Sequence, residues 1–162
     1  MSSRSKPTAK LEIDPLTLAE LERITQRPVT FPIAAWGGYR TVRKKRKLVA
    51  YGGLAWRFIP PGQERPRCDI FLDVVDGKLL SGLTLVRWAQ RMLRVAVQMG
   101  EEAVYCIRDD EPNSARLLEL VGMTRIEDVA IKFDDGSKRT GEIYVWRRSQ
   151  LSPPSSGSPA QP

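Results

Sequence analysis

Residues 103–123, AVYCIRDDEPNSARLLELVGM, constrain the fold more than any other stretch of the chain. Residues 103–107 read as a strand. Asp109, Asp110 and Glu111 then gather negative charge at a helix start, where the dipole favours it. Pro112 suits the first helical position, because its missing N–H would have no partner there. Leu117, Leu118 and Val121 supply an apolar face, and Gly122 fits the left-handed position after the last turn. The stretch is therefore a strand, a polar turn, a capped amphipathic helix and a glycine stop, with strands expected on both sides.

The rest of the chain builds around it. Residues 1–10 are small, polar and basic, and read as a disordered tail. Asp14 and Pro15 predict a helix start, with Leu18, Leu21 and Ile24 on one face and Arg27-Pro28 as the stop. Residues 29–35 read as a short strand, and Trp36-Gly37-Gly38-Tyr39 as a turn. Residues 48–59 read as a strand in which Gly52-Gly53 marks a bulge or a close backbone approach. Residues 68–75, CDIFLDVV, alternate as a strand with Ile70, Leu72 and Val74 on one side and Phe71, Asp73 and Val75 on the other. Asp76-Gly77 turns the chain. Residues 83–99 carry apolar positions at helical spacing (Leu85, Trp88, Ala89, Met92, Ala96, Met99), and Gly100 stops that helix. Residues 124–133 and 142–147 read as two strands joined by a turn around Asp134-Asp135-Gly136-Ser137. Residues 151–162, LSPPSSGSPAQP, form a second low-complexity tail, leaving one domain over 11–150.

Charge and residue usage narrow the chemistry. The chain has no histidine, which removes the Ser-His and Cys-His nucleophile arrangements and the commonest general base. Its two cysteines, Cys68 and Cys106, both fall in expected strands and read as buried free thiols. Two cysteines without histidine make no zinc site, and no metal is expected. No apolar run is long enough to cross a bilayer, and no secretory signal opens the chain, so a cytoplasmic place is expected. The net charge of +7 favours polyanions. Its densest run, from Arg40 to Lys47 (RTVRKKRK), reads either as the solvated turn of a hairpin or as a patch for an acidic protein or nucleic acid.

The succession of strands, a strand entering a long helix, then strand, capped helix, strand and strand resembles the GNAT acetyltransferase superfamily over roughly residues 29–148. In that family the second half often reads Asn-x-x-Ser/Ala-x-x-Leu-Tyr-Glu-Lys-Leu-Gly-Phe. Here SARLLELVGM, residues 114–123, fits when aligned on Gly122. The resemblance implies an α/β (α+β) fold, a mixed and mostly antiparallel central sheet with helices on both faces. It implies that the fourth and fifth strands splay apart to hold the pantetheine arm of acetyl-CoA, with the pyrophosphate at the next helix start. The cofactor contacts so implied are Val74, Val75, Lys78, Ser81, Gly82, Leu83 and Thr84, with Asn113 two residues beyond the family's asparagine position. Departures from the pattern are Leu79 for Arg or Gln, Thr84 for a small residue, Glu111 for the asparagine and Leu118 for the proton-donating tyrosine.

The activity implied is direct transfer of acetyl from acetyl-CoA to an amine. Asp73 would take the amine's proton, with Asp69 and Glu111 as alternatives. Tyr105 would stand in as proton donor, with Cys106 as the alternative, and backbone N–H near Val75 would polarise the thioester carbonyl. The alternative is a catalytically degenerate GNAT-fold structural or interaction module, of a kind common among bacteriophage proteins, in the host cytoplasm or the virion.

Overall fold

The computed structural model describes residues 10–41, 46–108, 113–132 and 135–151. The expected tails, the acidic run 109–112 and the centre of the basic run, 42–45, lie wholly or mostly outside those residues. In chain order the elements are β1 (Leu11–Pro15), α1 (Leu18–Thr25), β2 (Ile33–Thr41), β3 (Leu48–Phe58), β4 (Arg67–Val74), α2 (Gly82–Gln98), β5 (Ala103–Arg108), α3 (Ser114–Leu120), β6 (Thr124–Lys132) and β7 (Lys138–Arg147). Short 3-10 turns occupy Gly77–Leu79 and Arg148–Leu151.

Seven strands form one sheet in the order β1-β2-β3-β4-β5-β7-β6. Every neighbouring pair is antiparallel except β4 and β5. A parallel pair needs a crossover, and α2 supplies it.

Two expectations for the N-terminal third are corrected. Leu11–Pro15 is a strand, not a helix start, and pairs with β2 from Leu11↔Thr41 to Pro15↔Gly37. An edge position at a strand end tolerates proline, which has no N–H to give the ladder. The helix begins three residues later than Asp14-Pro15 predicts. Thr17 Oγ1 accepts from the Glu20 N–H at 3.2 Å, and Glu20 Oε2 accepts from the Thr17 N–H at 2.8 Å, a reciprocal cap. The second correction is that Trp36-Gly37-Gly38-Tyr39 is no turn. It continues β2, with Gly37 opposite Gly52 and Gly38 opposite Tyr51. Strands on both sides take up its backbone groups, so tertiary pairing overrides the local turn signal.

The hydrophobic core has two parts. The larger joins Leu54, Cys68, Ile70, Val104, Tyr144 and Trp146 of the sheet to Trp88, Met92, Leu93 and Ala96 of α2 and Leu118 of α3. The smaller joins Leu16 and Leu21, at α1, to Tyr51 of β3. Successive strand residues point to opposite faces, so α2 and α3 cover one face and α1 the other. Gly52 sits where α2 presses hardest on the sheet: a Cβ there would lie 2.8 Å from Trp88 Cη2 and 2.3 Å from the Phe71 carbonyl oxygen. The close backbone approach expected from Gly52-Gly53 is therefore present. Gly122, at φ +88, ends α3 in the left-handed region as expected.

Candidate functional site

The parallel contact between β4 and β5 consists of a single pairing, Asp69↔Tyr105. Beyond it both strands continue, to Val74 and to Arg108, without a further ladder pairing. The other edge of β4 is fully engaged, from Ala55↔Asp69 to Ala50↔Val74. The Val75 N–H donates to the Val49 carbonyl at 2.8 Å, which fixes the phase of that ladder. Backbone groups of successive strand residues point to alternate edges. Those of Phe71 and Asp73 therefore turn to β3, and those of Leu72 and Val74 turn into the gap. The expected splay is present, with an open row of backbone donors and acceptors along β4. One detail changes: the Val75 N–H is held inside the sheet and is not available to polarise a carbonyl in the gap.

Below the gap the chain turns into α2. Asp76 caps the 3-10 turn, its Oδ1 accepting from the Lys78 N–H at 3.2 Å. Its Oδ2 meets Lys47 Nζ at 3.1 Å, and this bond holds the carboxyl below its ordinary range. The carboxylate at the entrance to α2 is thus already matched by a cation. Ser81 caps α2 by accepting from the Thr84 N–H at 3.1 Å, and the two hydroxyls lie 2.8 Å apart. The N–H and the hydroxyl of Thr84 thus both take part in the cap. The first-turn N–H groups of Gly82 and Leu83 precede the first helical bond, from Leu85 N–H to the Ser81 carbonyl. No atom lies within 4 Å of where a Cβ on Gly82 would sit, so a ligand can approach closely. Asn113 is the N-cap of α3: its carbonyl accepts from the Leu117 N–H at 3.2 Å, and its side chain makes no cap bond.

On the α1 face, Asp73 lies directly opposite Tyr51 in the β3–β4 register. Burial, with the Asp73 charge next, pushes the Tyr51 hydroxyl up to about 12. This buried tyrosine was not foreseen: the two residues are far apart in sequence, and only the β3–β4 register joins them. Asp73 and Tyr105 are not brought together. Tyr105 pairs with Asp69, four residues or about 13 Å along β4 from Asp73. Tyr105 instead packs its ring under the Arg67 guanidinium, 5.1 Å from the ring centre, with Phe58 at 5.0 Å.

Asp69, the alternative base, is buried. Arg67 Nε holds its Oδ1 at 2.8 Å, while Arg57 Nε approaches Oδ2 only to 3.8 Å, leaving that oxygen buried without a hydrogen bond. Burial raises its carboxyl, and the two arginines pull it back. It stands at the closed end of the gap as a structural ion cluster. Next to it, burial pushes the Cys68 thiol up to about 12, helped by Glu101 and Asp69. Neither cysteine is in a disulfide; Cys68 is buried and Cys106 half-buried.

A small apolar cavity opens on the helix side of the gap, between Ile70 and Leu72 of β4, Cys106 of β5, Trp88 of α2 and Leu118 of α3. Leu118 thus contributes a wall where a tyrosine would contribute a hydroxyl. At the end of β5, Arg108 binds Glu142 at 2.7 Å and reaches Ser114 at 3.3 Å, tying β5, β7 and α3 together. Arg125 holds the other Glu142 oxygen at 3.0 Å. In the basic run, Arg46 pairs with Asp14 and Lys47 with Asp76. Two of its cations are thus engaged within the chain. No helix among the described residues is long and apolar enough to cross a membrane.

No family model matches the sequence, and no curated protein matches it. Solved structures match the fold. A protein of Acinetobacter baylyi, assigned as an acetyltransferase, superposes with a TM-score of 0.63 at 13% identity, over 88% of this chain and 94% of that one. An assigned acetyltransferase from Salmonella typhimurium, solved with its cofactor acetyl-CoA, gives 0.61 at 12%, over 90% and 98%. One from Bordetella pertussis, assigned to the GNAT family, gives 0.51 at 18%, over 68% and 64%. The expected GNAT-like fold is present.

Proposed function

We propose that this chain binds acetyl-CoA in the gap between β4 and β5 and transfers its acetyl group to an amine. The observation that carries this is the parting of the two strands after Asp69↔Tyr105, which leaves the Leu72 and Val74 backbone facing an opening. The two amides of a pantetheine arm need a donor and acceptor row of this kind. The pyrophosphate would meet the N–H groups of Gly82 and Leu83 with the Lys78 charge nearby. Likeness to the Salmonella typhimurium structure, solved with its cofactor acetyl-CoA, supports acetyl-CoA as the ligand.

In the transfer, the amine nitrogen bonds to the carbonyl carbon as the carbon–sulfur bond breaks. The amide leaves with the acetyl group and the sulfur leaves as CoA thiol. The nucleophilic amine must be neutral, and Asp73, exposed and opposite Tyr51, would accept its proton directly or through water. The proton then returns to the leaving thiolate through solvent. N–H groups facing the gap, not that of Val75, would polarise the thioester carbonyl.

The second reading is a module that keeps this fold and has lost turnover. The apolar Leu118 at the tyrosine position favours it. Thermal unfolding with acetyl-CoA tests the shared step. A ligand at 100 times its Kd adds about 2.7 kcal/mol, or roughly 5–10 °C in Tm at this chain length. No shift at millimolar acetyl-CoA overturns the binding reading. A shift without CoA release across a panel of amines supports the second reading over the first.

A further inference from the structure

We infer that the acyl group this site prefers is longer than acetyl, a propionyl or butyryl chain whose tail enters the cavity between α2, α3 and the parted strands. This rests on the acyl-CoA reading above and specifies its donor.

The cavity borders the gap, because Ile70 and Leu72 of β4 and Cys106 of β5 are among its lining residues. Trp88, Leu118 and Val121 line it from the helix side. None of its lining residues carries a charge, a hydroxyl or a carboxamide on its side chain. The amides of the pantetheine arm would be left unpaired there and are better served by the β4 edge. Methylene groups, which lose nothing by leaving water, are what such a cavity can hold. A cavity emptied of its polar lining does not hold ordered water well either, since a buried water needs two to four polar partners.

Size decides the chain length. The cavity measures about 40 Å³. A cavity of about 150 Å³ accommodates benzene, six carbons, so this one has room for roughly two carbons beyond the acetyl methyl. The walls cannot easily widen. Trp88 is pressed against the sheet at Gly52, where a Cβ would lie 2.8 Å from its ring. Leu118 and Val121 are buried against the same core. The leucine at 118 then has a role: a tyrosine hydroxyl at that position would put a polar group into the space the chain needs.

Calorimetry on the full chain with CoA, acetyl-CoA, butyryl-CoA and hexanoyl-CoA tests the inference. Burying one methylene strengthens binding about fourfold. Butyryl-CoA should therefore bind about 15-fold more tightly than acetyl-CoA, and hexanoyl-CoA no more tightly than butyryl-CoA. Ala89→Leu, which fills the cavity from α2, should return butyryl-CoA to the acetyl-CoA level and leave the affinity for CoA itself unchanged, with thermal unfolding confirming that the variant folds. Equal affinities for acetyl- and butyryl-CoA, or a butyryl advantage that survives Ala89→Leu, overturn the inference and leave acyl-CoA binding standing. Absence of binding to all four, CoA included, overturns the acyl-CoA reading beneath it as well.

Discussion

Gly52→Ala perturbs the point where sheet, crossover helix and cavity wall meet. A methyl there would lie 2.3 Å from the Phe71 carbonyl oxygen and 2.8 Å from Trp88 Cη2. Ordinary contact begins near 3.4 Å, so the carbonyl must retreat by about 1 Å. It belongs to the Gly53↔Phe71 pairing and cannot move without loosening β3 from β4. Overpacking of this kind costs about 1–3 kcal/mol, and the rigid backbone neighbour places this case at the upper end. Loss of glycine's flexibility in the unfolded chain returns about 0.5–1 kcal/mol. The net, about 2 kcal/mol, lowers Tm by roughly 4–8 °C for a chain of this length. Gly82→Ala is the control, with no atom within 4 Å of the added methyl. By the same entropy argument it should leave Tm unchanged or raise it by about 1–4 °C. Trp88→Phe should recover part of the Gly52→Ala loss in a double-mutant cycle, because it removes the ring atoms that clash. Scanning calorimetry on the parent and these four variants reads all of this. A Gly52→Ala protein within 1–2 °C of the parent would refute the packing argument.

Alkaline stability should fall from about pH 9 upward. Cys68 and Tyr51 ionise near 12 in the fold against ordinary values of 9.0 and 10.0. Between those limits the unfolded chain releases protons the fold retains, so stability drops by up to about 1.4 kcal/mol per pH unit for each group. Cys68→Ala should flatten the limb between pH 9 and 10 in urea titrations, and an unchanged limb would remove the thiol from the account. Under native conditions at pH 8 a disulfide reagent should label Cys106 and spare Cys68, with both reacting in urea. Rapid native labelling of both would contradict the burial assigned to Cys68. Asp69→Asn leaves Arg67 and Arg57 facing a neutral partner and should cost about 3 kcal/mol by denaturant unfolding. A loss under 1 kcal/mol would mean that the cluster is solvated.

Elements whose signals are local were legible in the sequence. The alternation in β4, the helical spacing of α2 and the stop at Gly122 all come from neighbours within a few residues, and each lies where its pattern places it. The N-terminal third was less legible, because competing local signals had to be ranked. Asp14-Pro15 and Thr17 with Glu20 are both credible helix starts. The reciprocal Thr17–Glu20 bonds decide for the second, and β2 claims the residues before it. Trp36-Gly37-Gly38-Tyr39 reads as a turn only until strands are known to flank it on both sides. The parting of β4 and β5 was anticipated from resemblance, whereas the occupation of the Val75 N–H by Val49 depends on ladder phase. The Tyr51–Asp73 pair, the Asp69 arginine cluster and the apolar wall at Leu118 join residues that are distant in sequence, and their chemistry exists only once the register is set.

The central claim is that the open β4 edge is a ligand surface, and backbone amide exchange measures it most directly. The N–H groups of Leu72 and Val74 face the gap, while those of Phe71 and Asp73 are bonded to β3. Without ligand, Leu72 and Val74 should exchange faster than Phe71 and Asp73. With saturating acetyl-CoA they should slow by at least tenfold, with little change at Phe71 and Asp73. Exchange at Leu72 and Val74 that is already slow, or that ignores acetyl-CoA while the cofactor binds elsewhere, would contradict the account.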